Sequence, residues 1–166
     1  MTRVVVLIGV SGSGKTTVGQ ALAEALGWAF EDADDYHDAS SIRKISRGQP
    51  LTDADRRPWL ERLGALVRDR AESGPPTVLA CSALKASYRN NLEVARPDVE
   101  VAWLDVPRDD LERRLRSRQG HFAGADLLES QLETFEAPGG DVVRLDGRRS
   151  IERLVTDALH ALEVAA

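Results

Sequence analysis

The sequence has little cysteine, and that scarcity excludes two classes of small protein. Cys81 is the only cysteine in 166 residues, so neither an internal disulfide nor a cysteine-based zinc site can form. Unpaired cysteines are among the most frequently buried residues, and we therefore interpret Cys81 as a small buried side chain at the end of a strand. What remains is an ordinary folded domain that is stabilised by its hydrophobic core.

The sequence also lacks a basic excess and a long hydrophobic run. Its formal net charge is −5 at pH 7, whereas domains that bind a nucleic-acid backbone usually carry an excess of positive charge. The N-terminal apolar run covers only Val4–Ile8, far short of the about 20 residues that cross a bilayer. We therefore expect no nucleic-acid partner, no membrane partner and a cytoplasmic location.

What the sequence does contain is a regular alternation of two patterns. Hydrophobic residues make up 42% of the chain and charged residues 30%, which is the balance of a globular protein. Short β-branched runs alternate with amphipathic stretches, which is typical of βαβ units around a parallel sheet. Since the chain also has the length of one domain, we predict a single α/β domain over residues 1–166. It should have three layers (α/β/α) and a central parallel sheet of about five strands.

The predicted elements follow this alternation. Strands are predicted near Val4–Ile8, Trp28–Glu31, Thr77–Ala80, Val99–Asp105 and Val142–Leu145. Helices are predicted over Lys15–Leu26, Asp55–Glu72, Leu84–Ala95, Arg108–Ser117, Asp126–Glu136 and Ser150–Leu162. Two polar segments, Asp32–Asp55 and Gln119–Gly124, interrupt the pattern. Because loops on a rigid scaffold commonly carry binding groups, we predict a substrate-binding segment at about residues 32–60 and a lid at about residues 118–125.

One motif has a defined chemistry. Gly9–Thr16 matches the phosphate-binding loop G-x-x-x-x-G-K-[ST] between a strand and a helix. The glycines let backbone N–H groups point inward around a phosphate at the helix N-terminus. Lys15 adds a positive charge for the β- and γ-phosphates, and the Thr16 hydroxyl is the predicted protein ligand of Mg²⁺. ATP and Mg²⁺ are thus the predicted cofactors, and the predicted contacts in this segment are Gly9, Ser11, Gly12, Ser13, Gly14, Lys15, Thr16 and Thr17.

The loop alone does not distinguish a kinase from a GTPase or a motor ATPase. A GTPase should carry an Asn-Lys-x-Asp guanine-binding segment, and the sequence contains none. A motor ATPase should carry an apolar strand that ends in Asp-Glu, whereas the matching strand here runs through Thr77–Ser82. A small-molecule kinase is therefore favoured. A kinase of another small hydroxy acid, such as shikimate, and a nucleotide-binding regulatory protein without turnover are the alternatives.

Phosphoryl transfer to an alcohol needs a carboxylate that accepts the hydroxyl proton and orients the oxygen. Lys15 and Asp34 are the predicted catalytic residues, and Asp32 is the second choice of carboxylate. Both aspartates follow a predicted strand and should therefore lie at the carboxyl edge of the sheet, where such sheets bind ligands. Arg114 and Arg118 lie four residues apart before the predicted lid, and we expect them to contact the nucleotide. Turn capping by the aspartates and a solvated helix face for the arginines are the structural alternatives.

Further blocks of the sequence resemble one family of kinases. The blocks are GVSGSGKT at Gly9–Thr16, the D-x-D…H segment at Asp32–His37, KISRGQPLTDADRRPWL at Lys44–Leu60, CSALKASYR at Cys81–Arg89, RQGHF at Arg118–Phe122, and LLESQ at Leu127–Gln131 with Glu136 and Pro138 after it. In this order they resemble the P-loop gluconokinases over nearly the whole chain. The combination is far more specific than the phosphate-binding loop, which nucleotide kinases and shikimate kinases share.

The resemblance implies ATP-dependent phosphorylation of D-gluconate to 6-phospho-D-gluconate, which feeds the pentose phosphate or Entner-Doudoroff route. It also implies a fold similar to that of nucleoside monophosphate kinases, with a lid, and a homodimer. Lys85 and Arg89 are suited to pair with the gluconate carboxylate, and Arg56 is a further candidate. The other predicted substrate contacts are Asp34, His37, Lys44, Ser82 and His121.

Four positions depart from the pattern of the family. Ala33, Asp38, Ser41 and Ile45 stand where the family usually has Gly, Pro, Asn and Met. Alanine restricts the backbone more than glycine does, and the change at Ser41 removes an amide that makes hydrogen bonds. We expect these changes to affect which sugar acid fits and to leave the kinase reaction itself unchanged.

Overall fold

Five parallel strands form the central sheet within the part of the chain that the structure describes. The computed structural model describes residues 1–117, 123–140 and 142–162, with only the backbone of residues 123–126. The strands are β1 Val4–Ile8, β2 Ala29–Asp32, β3 Thr77–Cys81, β4 Val99–Asp105 and β5 Val143–Asp146. They lie in the order β2-β3-β1-β4-β5, so β1 is central and pairs with β3 and β4.

Helices cover both faces of this sheet. They are α1 Lys15–Leu26, a 3₁₀ helix Ala33–Tyr36, α2 Ala39–Ser46, α3 Asp53–Glu72, α4 Ala86–Asn91, α5 Arg108–Ser117, α6 Ala123–Thr134 and α7 Ile151–Ala161. Successive side chains of a strand point to opposite faces, so Val5 and Leu7 join the core formed with α1 and α7, while Val6 and Ile8 join the core formed with α3. The predicted three-layer architecture and its parallel sheet are confirmed, and every strand lies within one residue of its predicted bounds.

The predicted irregular segment Asp32–Asp55 is largely helical, which corrects the prediction. Asp32 accepts a hydrogen bond from the Asp34 N–H at 3.0 Å and so begins the 3₁₀ helix. Asp38 accepts a hydrogen bond from the Ser41 N–H at 2.7 Å and begins α2 in the same way. Side-chain caps of this kind stabilise short helices that have no extended apolar stripe.

Two further boundaries differ from the prediction. Thr52 and Asp55 form a capping box, so α3 begins at Asp53 rather than at Asp55. The predicted helix Leu84–Ala95 is reduced to the six residues of α4. Left-handed backbone conformations at Ala83 (φ 41°) and Glu93 (φ 53°) limit it on both sides, since a residue with a Cβ in this conformation interrupts a right-handed helix.

The predicted lid at about residues 118–125 falls mostly outside the described residues. Residues 118–122 are not described, and the backbone of residues 123–125 forms the first turn of α6, three residues before its predicted start at Asp126. Among the described helices, none is long and apolar enough to cross a membrane.

Candidate active site

The phosphate-binding loop connects β1 to α1 at the carboxyl edge of the sheet. Gly12 (φ 83°) and Gly14 (φ 95°) have left-handed backbone conformations, and Gly14 is the N-cap of α1. A Cβ at Gly9 would lie 2.9 Å from Ser13 Oγ and 3.0 Å from Leu104 O, which leaves no room for a side chain. The observed shape of the loop therefore depends on glycine at these positions.

Lys15 lies on the inner side of this loop. Its Nζ donates a hydrogen bond to Val10 O at 2.9 Å. Burial lowers the pKa of Lys15, and the charges of Asp34 and Asp32 oppose that shift. The Ser13 hydroxyl is buried and has no hydrogen-bond partner among the described residues. The loop thus combines a cation and an unpaired hydroxyl with the N-terminus of a helix, which is a suitable site for a phosphate.

Asp32 connects the phosphate-binding loop to the end of β2. Thr16 Oγ1 donates to Asp32 Oδ2 at 2.8 Å, and the Asp34 N–H donates to Asp32 Oδ1 at 3.0 Å. Thr16 and Asp32 therefore present adjacent oxygen atoms, the type of ligand that Mg²⁺ prefers. Within the described ranges, no group of three or more His, Cys, Asp or Glu side chains could hold a metal. An ion bound by Thr16 and Asp32 would thus need phosphate oxygens and water to complete its coordination.

Asp34 lies in the 3₁₀ helix beside this pair. Its side chain is 84% exposed, and its Oδ1 lies 3.9 Å from His37 Nε2. Partial desolvation by the surrounding protein atoms, followed by the charge of Asp32, raises the pKa of Asp34 above its ordinary value. A carboxylate with a raised pKa binds a proton more tightly, so Asp34 is a stronger base than an ordinary aspartate.

His37 lies between Asp34 and the core residue Trp59. The side chain of His37 is only 8% exposed, and its ring stacks on Trp59 with ring centres 4.5 Å apart. Trp59 is itself held by a 2.7 Å hydrogen bond from Nε1 to Ala33 O. Burial lowers the pKa of His37, and its Nδ1 has no hydrogen-bond partner among the described residues. One ring nitrogen of His37 is therefore buried without a partner in the described part of the chain, and the other faces the Asp34 carboxylate.

Two cations lie near one carboxylate at the N-terminus of α3. Lys85 Nζ lies 3.2 Å from each carboxylate oxygen of Asp53, and Arg56 Nη1 lies 4.0 Å from Asp53 Oδ1. The Tyr88 hydroxyl donates a hydrogen bond to the same Asp53 oxygen. Ser82, half-buried, follows the end of β3. The structure thus brings Lys85 together with Arg56, the further candidate for carboxylate binding.

Two other predicted substrate cations have internal partners. Arg89 is buried, and its Nη1 donates to Ala83 O at 2.9 Å and to Leu84 O at 3.3 Å. Lys44 Nζ donates to both carboxylate oxygens of Asp55 at 2.8 Å. Arg89 therefore supports the turn between β3 and α4, while Lys44 connects α2 to α3.

Arg114 contacts the backbone of the phosphate-binding loop. Its Nη1 donates to Ser13 O at 3.0 Å, and its Nη2 donates to Gly147 O at 2.6 Å. From α6, Gln131 Oε1 accepts a hydrogen bond from the Ser11 N–H at 2.5 Å. These contacts connect the loop to the segment after β5 and to α6.

Three residues of the candidate site were not predicted, and two predicted residues lie outside the part of the chain that the structure describes. Asp53, Tyr88 and Gln131 were missed, although each lies in a block that carried the family resemblance. Thr17 is exposed in the first turn of α1. The predicted contacts of Arg118 and His121 lie outside the described residues.

Comparison with known proteins places the chain in a family. The family model of an AAA domain matches residues 4–138. A gluconokinase from Gluconobacter oxydans (strain 621H) is 46% identical over 149 residues, which cover 89% of this chain and 84% of that protein.

Solved structures agree with this comparison. A sugar kinase from Janibacter sp. HTCC2649 superposes with a TM-score of 0.89 and 44% identity, over 99% of this chain and 96% of that one. A gluconokinase from Sinorhizobium meliloti 1021 superposes with a TM-score of 0.82 and 42% identity, over 95% of this chain and 89% of that one. The chain therefore belongs to the gluconokinase family, whose members have this P-loop kinase fold.

Proposed function

We propose that this protein transfers the γ-phosphate of ATP to D-gluconate and releases 6-phospho-D-gluconate. The observation that best supports a phosphotransferase is the hydrogen-bonded path from the Thr16 hydroxyl through the Asp32 carboxylate to the backbone N–H of Asp34, because it holds the residue with the exposed carboxylate beside the phosphate-binding loop. The relatives named as gluconokinases, at 46% and 42% identity, supply the identity of the acceptor.

In this proposal ATP binds along Gly9–Thr16. The backbone N–H groups contact the β- and γ-phosphates, and the Lys15 ammonium stabilises negative charge on the group in transfer. Thr17 contacts the α-phosphate from the first turn of α1. Arg114 holds the loop in shape through two backbone carbonyls, and Arg118 is retained as a further nucleotide contact.

Thr16 is proposed to bind Mg²⁺ together with the phosphates, with Asp32 beside it. The side-chain oxygens of the two residues lie 2.8 Å apart, and a hydroxyl beside a carboxylate suits a small hard cation. Thr16 is the direct ligand, and Asp32 orients its hydroxyl. When bound, the ion neutralises charge on the phosphates and holds them in line with the acceptor.

Asp34 is proposed to accept the proton of the attacking hydroxyl. Its carboxylate is exposed at the edge of the sheet where Lys15 also lies, and its pKa is raised. Because the transition state of phosphoryl transfer is loose, orientation of the oxygen matters as much as removal of the proton. Asp34 is suited to both tasks.

Lys85 and Arg56 are proposed to bind the gluconate carboxylate. Both cations already lie beside the Asp53 carboxylate, which supports this proposal. Donors that are arranged around one carboxylate can also bind the carboxylate of a ligand. His37, whose Nε2 faces Asp34, and the hydroxyl of Ser82 are proposed to bind substrate hydroxyls.

Two of the other three predicted substrate residues have supporting roles in this proposal. Lys44 acts through Asp55, because its ammonium bonds both of that carboxylate's oxygens. Arg89 acts through the backbone of the turn that precedes α4. His121 stays a prediction for the lid.

Measurement of ADP release across a panel of acceptors tests the proposal. We expect D-gluconate to raise the rate well above the rate without acceptor, and shikimate and other aldonates to raise it less. Lys15→Met should remove the stimulation. A stronger response to another hydroxy acid would replace gluconate as the acceptor, and no response to any acceptor by a protein that binds ATP would favour the regulatory alternative.

We also propose a homodimer in the cytoplasm, acting on a small molecule without a membrane or nucleic-acid partner. The family resemblance supports the dimer, and the net charge of −5 supports the absence of a nucleic-acid partner. Sedimentation velocity at several protein concentrations tests the dimer, and a monomer of 18.1 kDa at all of them would contradict it.

A further inference from the structure

The proposed carboxylate-binding cations already have a carboxylate partner within the chain. Asp53 receives hydrogen bonds from Lys85 Nζ at 3.2 Å to each oxygen, and a hydrogen bond from the Tyr88 hydroxyl. Arg56 Nη1 lies 4.0 Å from Asp53 Oδ1. Any substrate carboxylate that uses Lys85 and Arg56 therefore competes with Asp53 for the same donors.

We propose that Asp53 is an internal competitor of the substrate carboxylate, and that this competition sets the affinity and the acid selectivity of the acceptor site. The inference rests on the proposed function, in which Lys85 and Arg56 bind the carboxylate of the acceptor. Asp53 would have to leave these donors, at least in part, when the substrate binds.

Asp53 has the freedom that such a displacement requires. Its side chain is 66% exposed, whereas those of Lys85 and Arg56 are 32% and 24% exposed. Asp53 is also the first residue of α3 and lines an open hollow between α3 and α4. Rotation of its side chain into that hollow breaks no packing in the core.

The cations keep other contacts if Asp53 departs. Arg56 Nη1 donates to Leu51 O at 2.7 Å and lies 3.4 Å from the Tyr88 hydroxyl. Lys85 Nζ and the Arg56 guanidinium also lie 5.4 Å and 5.6 Å from the centre of the Tyr88 ring, within the range of cation–π interactions. The binding groups therefore have anchors that do not depend on Asp53.

Competition of this kind favours acids over neutral polyols. The hydrogen bonds from Tyr88 and Lys85 lower the pKa of Asp53, which keeps it ionised at neutral pH. An anionic acceptor can replace one charge by another, whereas a neutral polyol offers no charge to the cations that Asp53 would leave. A competing internal group that a wrong ligand cannot displace is a form of selection against that ligand.

Kinetics of Asp53→Asn test the inference. We expect the KM for gluconate to fall about three- to tenfold with kcat within about twofold of the wild type, because removal of the competitor raises the fraction of molecules that can bind. Asp53→Glu keeps the charge and should keep a KM close to that of the wild type. Calorimetric titration of gluconate without nucleotide should show the same decrease in Kd for Asp53→Asn.

Asp69→Asn is the matched control for net charge. Asp69 lies in the same helix, about 24 Å farther along it, and we expect its variant to leave the KM unchanged. Asp53→Ser supplies a second neutral variant if Asp53→Asn does not fold, since serine is tolerated at helix N-termini. A KM or Kd for gluconate that is unchanged or raised in the neutral variant overturns the inference and makes Asp53 a positioning residue.

The experiments distinguish an error in the proposed acceptor from an error in the proposed role of Asp53. If the wild type phosphorylates another hydroxy acid and not gluconate, the proposed acceptor is wrong, and the same variants are compared with that acid. If gluconate is phosphorylated and the neutral variants bind it no better, only the competition by Asp53 is wrong.

Discussion

At the scale of single residues, the two carboxylates after β2 have different surroundings. Both oxygens of Asp32 accept hydrogen bonds, one from Thr16 and one from the backbone of Asp34. The Asp34 side chain is exposed, and desolvation together with the Asp32 charge raises its pKa. Neighbouring carboxylates with different surroundings commonly divide acid–base work between them. Here Asp32 is suited to organising the metal side and Asp34 to accepting a proton.

Asp34→Asn tests this division of roles. Positioned acid–base groups typically contribute a factor of about 10²–10⁴ to the rate. We therefore expect kcat for gluconate to decrease by a factor in that range. The KM for ATP should change little, since the nucleotide contacts come from the phosphate-binding loop. Asp35→Asn, at an exposed neighbouring position, is the control, and an equal loss in both variants would contradict a specific role for Asp34.

The raised pKa of Asp34 has a consequence for the pH dependence of the reaction. Asp34 accepts a proton only when ionised, so activity is present above its pKa and is lost as the pH falls through it. Since partial desolvation and the charge of Asp32 raise that pKa, the acid limb of kcat/KM should lie above the range of an ordinary aspartate, whose pKa is about 3.9. Circular dichroism at each pH excludes unfolding as the cause, and an acid limb at or below about pH 4 would contradict the assignment.

The residues proposed to bind the substrate carboxylate show what sequence spacing could not predict. Lys85 and Arg89 are one helical turn apart, which predicts that they share a face. In the structure the carbonyls of Ala83 and Leu84 draw the Arg89 guanidinium inward. Arg56, distant in sequence, takes the place beside Lys85 because α3 packs against α4. The residue types were predictable, whereas the direction of each side chain depends on tertiary hydrogen bonds.

At the scale of elements, predictability follows length and periodicity. The bounds of β1, α1 and β4 agree with the predictions at both ends, because β1 and β4 are apolar runs and α1 has an apolar stripe that ends at Gly27. The 3₁₀ helix and α2 were missed, since single side-chain caps rather than apolar stripes stabilise them. These two short helices nevertheless hold Asp34 and Lys44, so the least predictable elements contribute to the candidate site.

Close packing of α3 on α4 holds Asp53 and Arg56 beside Lys85 and Tyr88, and Gly64 makes that packing possible. A Cβ at Gly64 would lie 2.4 Å from Asn91 O. Alanine favours a helix over glycine by about 1 kcal/mol, but overpacking costs about 1–3 kcal/mol and can cost more. The clashing atom belongs to the backbone and cannot rotate away, so we expect the clash to dominate.

Gly64→Ala should therefore lower the free energy of unfolding by about 1–2 kcal/mol net of helix propensity. For a domain of this size that lowers Tm by about 2–8 °C, which differential scanning calorimetry measures. Gly139→Ala is the control, because a Cβ there would meet no atom within 4 Å. If Gly64→Ala unfolds at or above the wild-type Tm, α3 and α4 do not pack so closely that a Cβ at residue 64 would clash with Asn91 O.

At the scale of the whole molecule, the strand order divides the site into two sides. The phosphate-binding loop follows the central strand β1. On one side β3 and β2 lead to Lys85 and Asp34, which are proposed to bind the acceptor, and on the other β4 and β5 lead to Arg114 and Gly147. The sequence predicts that these residues follow strands, but it does not order the strands. The observed order separates the proposed acceptor side from the proposed nucleotide side.

This separation predicts that stabilisation of the protein by Mg–ATP depends on residues of the phosphate-binding loop and not on the residues proposed to bind gluconate. A ligand at 100 times its Kd stabilises the folded state by about 2.7 kcal/mol, which for a domain of this size raises Tm by about 5–11 °C. We expect Mg–ATP to give such a shift in the wild type and in Asp34→Asn, and to give almost none in Lys15→Met.

The variant at Lys15 should itself remain folded, because burial disfavours its charge and methionine is a close apolar replacement for a lysine side chain. Its Tm without ligand is the internal control, which differential scanning fluorimetry measures in the same experiment. Equal shifts in Lys15→Met and the wild type would contradict the assignment of Lys15 to the phosphates. Loss of the ATP shift in Asp34→Asn would contradict the separation, since it would mean that the acceptor side also holds the nucleotide.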